Sequence, residues 1–142
     1  MKRRRGTVIL ESEKGILLTA GLTKTFILPG GGASKKESRM QAAIRELKEE
    51  TGLEPYFAMI LFRHESRFNS HSVYYIKAKG NPHPKNEIKY ISYHNDNKIK
   101  ISKSTKEIIK EFLKYKKTNE SKFKIINSLF KEGLQKKDIK NI

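Results

Sequence analysis

Residues 45–52 read RELKEETG. Glu46, Glu49 and Glu50 stand at i, i+3 and i+4, so a helix through this stretch crowds three carboxylates on one side. Like charges at these spacings cost roughly 0.2–0.5 kcal/mol per pair. Gly52 is a natural C′ residue for stopping the helix. The acids therefore also lie at its C-terminal end, where the macrodipole disfavours anions.

Upstream, Met40, Ala43, Ile44 and Leu47 form an i, i+3, i+4, i+7 apolar stripe, which predicts a helix from Ser38 to Thr51. At roughly 100° per residue, with Met40 as zero, Glu49, Glu46 and Glu50 fall near 180°, 240° and 280°. The acidic face thus flanks the buried one. Ala42 lies between the acids, and its small side chain is expected to leave room for ions and phosphates. Arg45 precedes Glu49 by four residues and is placed to pair with it. A hard cation, Mg²⁺ or Mn²⁺, is the simplest partner for such a face, because it takes oxygen ligands and pairs with phosphate. A solvated acidic helix face is the alternative.

The wider spacing decides between them. Gly31 is followed after five residues by Glu37, and after seven more by Arg45-Glu46-Leu47-Lys48-Glu49-Glu50-Thr51-Gly52-Leu53. This resembles the full signature of the Nudix hydrolases, G-x5-E-x7-R-E-U-x-E-E-x-G-U with U a bulky aliphatic. At ordinary residue frequencies its chance occurrence in such a chain is on the order of 10⁻⁸. Pro29-Gly30 is also similar to the family's usual approach to the box. The resemblance implies an α+β fold, a Nudix-like α/β/α sandwich with a mixed sheet. It spans a domain of residues 1–117, leaving 118–142 as a Lys-rich helical extension.

It also implies a divalent-metal-dependent pyrophosphohydrolase that cleaves a phosphoanhydride bond in a nucleoside diphosphate-linked substrate. By position, Glu46, Glu49 and Glu50 would be metal ligands, with the Gly30 carbonyl as a further one. Glu37 would organise the loop and helix, and Arg45 would orient the acids. The general base would be a box Glu, Glu49 or Glu50, or a downstream Glu: Glu87, which precedes Ile88-Lys-Tyr-Ile-Ser, ahead of Glu65. A plain surface acid is the other reading of Glu87. Arg5, in the Arg3-Arg4-Arg5 opening, and Lys24, near the glycine run, are candidate substrate contacts.

Substrate class is open at this level. Phe68 stands where ADP-ribose hydrolases often carry a proline, and Ala20 where some triphosphate-cleaving members carry an Arg. A nucleoside triphosphate or a dinucleoside polyphosphate is the first choice. The alternatives are RNA 5′-end pyrophosphohydrolysis and a non-catalytic nucleotide- or RNA-binding module.

Composition bounds the rest. The 142 residues carry a net charge of +16. Residues 98–142 hold fourteen Lys against five acids. Such a field attracts polyanions, RNA among them, and a solvated Lys-rich surface is the bland alternative. Without cysteine there are no disulfides and no thiolate metal sites, which fits a cytoplasmic protein. No apolar run reaches about 18 residues, so no membrane partner is expected. The opening MKRRRGTVIL is too short in its apolar part to be a leader, with Glu11 and Glu13 interrupting it. A monomer or a homodimer is compatible with all of this.

Elsewhere the expected strands are 7–10, 15–20, 25–28, 56–64, 72–79 and 88–93, with residues 30–32 as a loop. Helices are expected at 104–117, capped by Ser104 and Glu107, and at 119–132, capped by Asn119 and stopped by Gly133. Phe123, Ile126, Leu129 and Phe130 form an apolar stripe on the second of these. Residues 134–142 are expected to fray.

Overall fold

The computed structural model describes residues 2–140, with side chains to residue 130. It comprises two compact units, residues 1–109 and 110–142.

The first unit is built on a four-stranded mixed sheet of order β5-β1-β7-β6. Its strands are β1 (Arg3–Ile9), β5 (Gly30–Gly32), β6 (Glu54–Glu65) and β7 (Asn69–Lys79). β1 runs parallel to β7, and the other pairings are antiparallel. A second sheet joins β2 (Glu11–Ser12), β3 (Gly15–Ala20) and β8 (Tyr90–Tyr93), and a parallel pair joins β4 (Thr25–Phe26) to β9 (Lys100–Ile101).

Helix α1 (Arg39–Thr51) covers one face of the four-stranded sheet. Its apolar stripe supplies Ala43 and Leu47 to a core with Val8, Leu10, Leu17, Leu53, Tyr74 and Ile76, and Met40 and Ile44 pack against the edge of that core. Ser38 and Gln41 form a complete capping box, and Gly52 closes the helix at φ 77°. The helix is set close to β1, since a Cβ on Gly6 would stand 2.0 Å from the Arg39 carbonyl oxygen and 2.7 Å from the Ala43 nitrogen.

Several expectations are corrected. The glycine run is not a loop: Gly30, Gly31 and Gly32 pair antiparallel with Thr7, Gly6 and Arg5. Only Gly30, at φ 142°, uses the freedom glycine provides there. β1 begins at Arg3 rather than Thr7, because its N-terminal half pairs with Asn69, Ser70 and His71 of β7. Ala42 is fully buried, so the room it leaves is filled by protein and not by ions.

Helix α2 (Lys103–Thr118) starts earlier than expected, and Ser102 caps it. The Ser102 hydroxyl accepts from the Thr105 amide at 3.3 Å, so Ser104 and Glu107 form no cap. Asn119 turns back instead of capping forward: its side-chain amide donates to the Tyr115 carbonyl at 2.8 Å.

In the second unit, Phe112 and Tyr115 meet the Phe123 ring edge-on, at centroid separations of 5.9 and 6.0 Å. Phe123 and Ile126 are buried as the stripe expects, whereas Leu129 is 61% exposed. α3 (Glu120–Lys140) runs through Gly133, so that residue does not stop it, and residues 134–140 of the expected frayed end are helical. Residues 141 and 142 lie outside the described residues. No helix among the described residues is long and apolar enough to cross a membrane.

The Gly6 contact is testable. Gly6→Ala forces a methyl group into the helix backbone, and overpacking of this kind costs about 3 kcal/mol. Urea denaturation should show a clearly lowered midpoint, and an unchanged midpoint would mean that α1 and β1 are not this close.

Candidate active site

The site lies where β5 meets the C-terminal half of α1. The Gly30 amide donates to Glu50 Oε1 at 2.9 Å, holding a carboxylate that is 4% exposed. Next to it, a Cβ on Gly31 would fall 2.6 Å from Glu46 Cδ. A glycine strand is what lets Glu46 and Glu50 lie against the sheet edge.

The last carbonyls of α1 have no partner within the helix, and the segment after Gly80 supplies partners. His83 N donates to Thr51 O at 3.0 Å, Lys85 N to Glu50 O at 3.2 Å, and the Asn86 side chain to Glu49 O at 2.8 Å. Asn86 sits at φ 55°, a conformation asparagine tolerates. These bonds deliver Glu87 to the acidic end of the helix. One oxygen each from Glu46, Glu50 and Glu87 then lies within 4.8 Å of the others. This is a hard-cation donor set, with the Gly30 backbone beside it.

The fixed positions of the box have distinct places. Arg45 Nε meets Glu37 Oε2 at 2.7 Å, and Arg45 Nη1 meets Glu46 Oε1 at 2.7 Å and Glu49 Oε2 at 3.2 Å. The expected Arg45–Glu49 pair is thus the longest of three. Hydrogen bonds to Glu37 and then Glu46 hold the Arg45 guanidinium well above its usual range, and the same Arg45 bond holds the Glu37 carboxyl low. Glu49 is half exposed on the outer side of Arg45 and is not part of the three-carboxylate cluster. Arg5 Nη2 donates to the Gly30 carbonyl at 3.4 Å. Lys24 turns elsewhere, with its ammonium 5.3 Å from the Tyr90 ring centroid.

The NUDIX domain model matches residues 1–117. The chain belongs to the Nudix hydrolase family. A protein from Chromobacterium violaceum described as a nudix hydrolase family member is 35% identical, with a TM-score of 0.80 over 92% of this chain and 89% of that one. Because 92% of the chain exceeds residues 1–117, that match reaches into the C-terminal helices. A MutT NUDIX hydrolase from Burkholderia pseudomallei shares the fold at 21% identity and TM-score 0.63, covering 75% of this chain and 94% of that one. An ADP-ribose pyrophosphatase from Streptococcus suis does so at 17% and 0.63, covering 74% and 83%. No curated protein matches the chain.

This Nudix chain is an enzyme of the class that acts on phosphorus-containing anhydrides. Members depend on a divalent metal and bind nucleotide-derived substrates, and the acidic donor set above fits such an ion. The sequence offers Glu87 as a candidate base or a plain surface acid, with no sign that it joins Glu46 and Glu50. Its nearness to Glu46 and Glu50 comes from backbone bonds at 83–86 that leave no periodic signal in the sequence.

Glu50 titrates abnormally. Burial pushes its carboxyl up to about 8, the Gly30 amide opposes this, Glu46 adds to it, Arg5 opposes it, and Glu87 adds to it. Between pH 4.5 and about 8 the metal-free fold holds a proton that the unfolded chain has released. Folding stability from this group is therefore present below the lower value and lost as pH rises through the upper one. Calorimetry in a chelator should show the Tm of the native chain falling against Glu50→Gln across that window, with Mg²⁺ reversing the fall. A gap between the two chains that does not change with pH would contradict the assignment.

Proposed function

We propose that the chain hydrolyses a phosphoanhydride bond in a nucleoside diphosphate-linked substrate, first of all a nucleoside triphosphate or a dinucleoside polyphosphate. The observation that carries this is the convergence of Glu46, Glu50 and Glu87 within 4.8 Å beside the Gly30 strand. Residues 1–117 form the hydrolase domain in this reading, and 118–142 a Lys-rich extension.

Glu46, Glu50 and the Gly30 carbonyl would hold Mg²⁺ or Mn²⁺, and Glu49 would be a further oxygen donor beside Arg45. Such an ion would supply charge neutralisation at the phosphate oxygens and a more acidic water. Glu87 is exposed on the solvent side of the cluster and takes the proton of the attacking water. The water oxygen forms a new bond to phosphorus, the bridging P–O bond breaks, and the leaving phosphate departs with its electron pair. Arg45 keeps Glu46 and Glu49 in place through its ion pairs. Arg5 meets the phosphate chain next to Gly30, and Lys24 is a peripheral contact. The reaction belongs in the cytoplasm, in keeping with a chain that has no cysteine.

A second reading, hydrolysis at RNA 5′ ends, draws on the Lys excess of residues 98–142. Counterion release would make that activity fall steeply with salt.

The test is a panel of nucleoside triphosphates, dinucleoside polyphosphates, nucleoside diphosphate sugars and 5′-triphosphate RNA with Mg²⁺, resolving the products. Glu50→Gln and Glu87→Gln should each lower kcat by about 10²- to 10⁴-fold, the range for removing a positioned base or ligand. Full activity in Glu50→Gln would reject the metal assignment, and full activity in Glu87→Gln would reject the base. Salt-insensitive cleavage of RNA would argue against the second reading.

A further inference from the structure

Strand alternation puts Gly6 and Val8 of β1 toward α1, and Arg5 and Thr7 toward the opposite face. On that face lies a cavity of about 180 Å³. Arg5, Thr7, Asn69, His71 and the hydroxyl residues Ser102, Ser104 and Thr105 make its polar wall, Ile27, Leu28 and Ile108 complete it, and no carboxylate among the described residues lines it.

Part of this wall is already satisfied. Thr7 Oγ1 and His71 Nδ1 are 2.8 Å apart, and Ser66 Oγ lies 3.3 Å from His71 Nε2. Burial pushes His71 down to about 4, so its ring is neutral. The Thr105 hydroxyl accepts from the Leu28 amide at 3.3 Å.

Other donors are less fully used. Arg5 makes one long hydrogen bond, to Gly30, and among the described residues it has no ion pair. The side chains of Asn69 and Ser104 have no protein partner among the described residues. A guanidinium with hydrogen-bond donors to spare, facing a cavity without carboxylates, is placed to receive an anion. Phosphate suits it, because its oxygens match the Arg fork and accept from amides and hydroxyls.

The dimensions narrow the choice. The cavity is smaller than the roughly 300–1,000 Å³ of pockets that enclose whole ligands. No Phe, Tyr or Trp lines it, and the one ring present, His71, is already engaged by Thr7 and Ser66. It also adjoins the carboxylates, since Arg5 bonds the Gly30 carbonyl while the Gly30 amide bonds Glu50. Asn69 and Ser104 also line a wider groove of about 620 Å³ that carries Lys2, Arg67, Phe68 and Lys103 together with the acids Glu65 and Glu107. The bulk of a substrate has room there.

We propose that the Arg5 cavity is a subsite for a terminal phosphate, which makes a nucleoside triphosphate the preferred substrate over a nucleoside diphosphate sugar. The substrate part of this rests on the hydrolase reading above, and the subsite itself is tested without turnover.

The full-length chain, free of divalent metal, is titrated with inorganic pyrophosphate and separately with adenosine, following backbone amides by NMR. Pyrophosphate should shift Arg5, Thr7, Asn69 and Thr105. Its Kd should rise about tenfold or more in Arg5→Gln, recover in part in Arg5→Lys, and rise in Asn69→Ala should Arg5→Gln fail to fold. Shifts confined to surface lysines, unchanged affinity in the folded variants, or an equal response to adenosine would overturn the subsite. In turnover with Mg²⁺, Arg5→Gln should lower kcat/KM for ATP at least tenfold more than for ADP-ribose. An equal loss for both would overturn the substrate preference. Absence of all turnover, with pyrophosphate still seated at Arg5, would reject the hydrolase reading and leave the subsite standing.

Discussion

The hydrogen bond from the Gly30 amide to Glu50 is the constraint on which the site depends. It joins an edge strand to the buried side of α1 and sets a carboxylate where water is scarce. For that bond to form, β5 must come close to the helix, and the glycines at 30 and 31 allow it: a Cβ on either would strike backbone of β1 or the Glu46 side chain. The close seat of α1 on β1, set by Gly6, fixes the other side of the same arrangement. One geometric demand therefore explains glycines on two different strands.

The carboxylates stand at the end of α1 where the helix field opposes them. Part of that cost is met by protein. Arg45 pairs with Glu37, Glu46 and Glu49 from one flank, its single charge offsetting part of theirs, and Arg5 lies behind Gly30 on the other. The helix carbonyls are satisfied by residues 83–86, which also bring in Glu87, a fourth acid on this side. What remains is an excess of negative charge at Glu46, Glu50 and Glu87, with Glu50 pushed toward its neutral form by burial. In the proposed reading a cation would relieve that excess and select the ionised carboxylate. The charge conflict visible in the sequence is thus what the proposed metal site would use.

Much of this arrangement is legible in the amino-acid sequence. The i, i+3, i+4 carboxylates, the apolar stripe of α1, the Ser38 cap and the Gly52 stop all follow local periodicity, and local rules govern them. The glycine run reads as a loop because its strand character comes from pairing with β1, not from its own side chains. Ala42 reads as open space because the helical wheel does not show that β5 packs beside the acidic face. The start of α2 is displaced because Ser102 and Ser104 are equally good caps by composition, and Thr105 contacts decide between them. The Arg5 cavity is the least legible feature. It joins residues from β1, the start of β7 and the first turn of α2, and nothing in the spacing of residues 5, 69 and 104 announces a meeting.

The most direct measurement is a crystal of the full chain soaked in Mn²⁺, with the ion located by its anomalous scattering. The ion should lie among carboxylate oxygens of Glu46 and Glu50, within coordination reach of the Gly30 carbonyl, with Glu87 on its solvent side. An ion held instead on the outer face by Glu37 and Glu49, with Glu46 and Glu50 left without metal, would contradict the site described above.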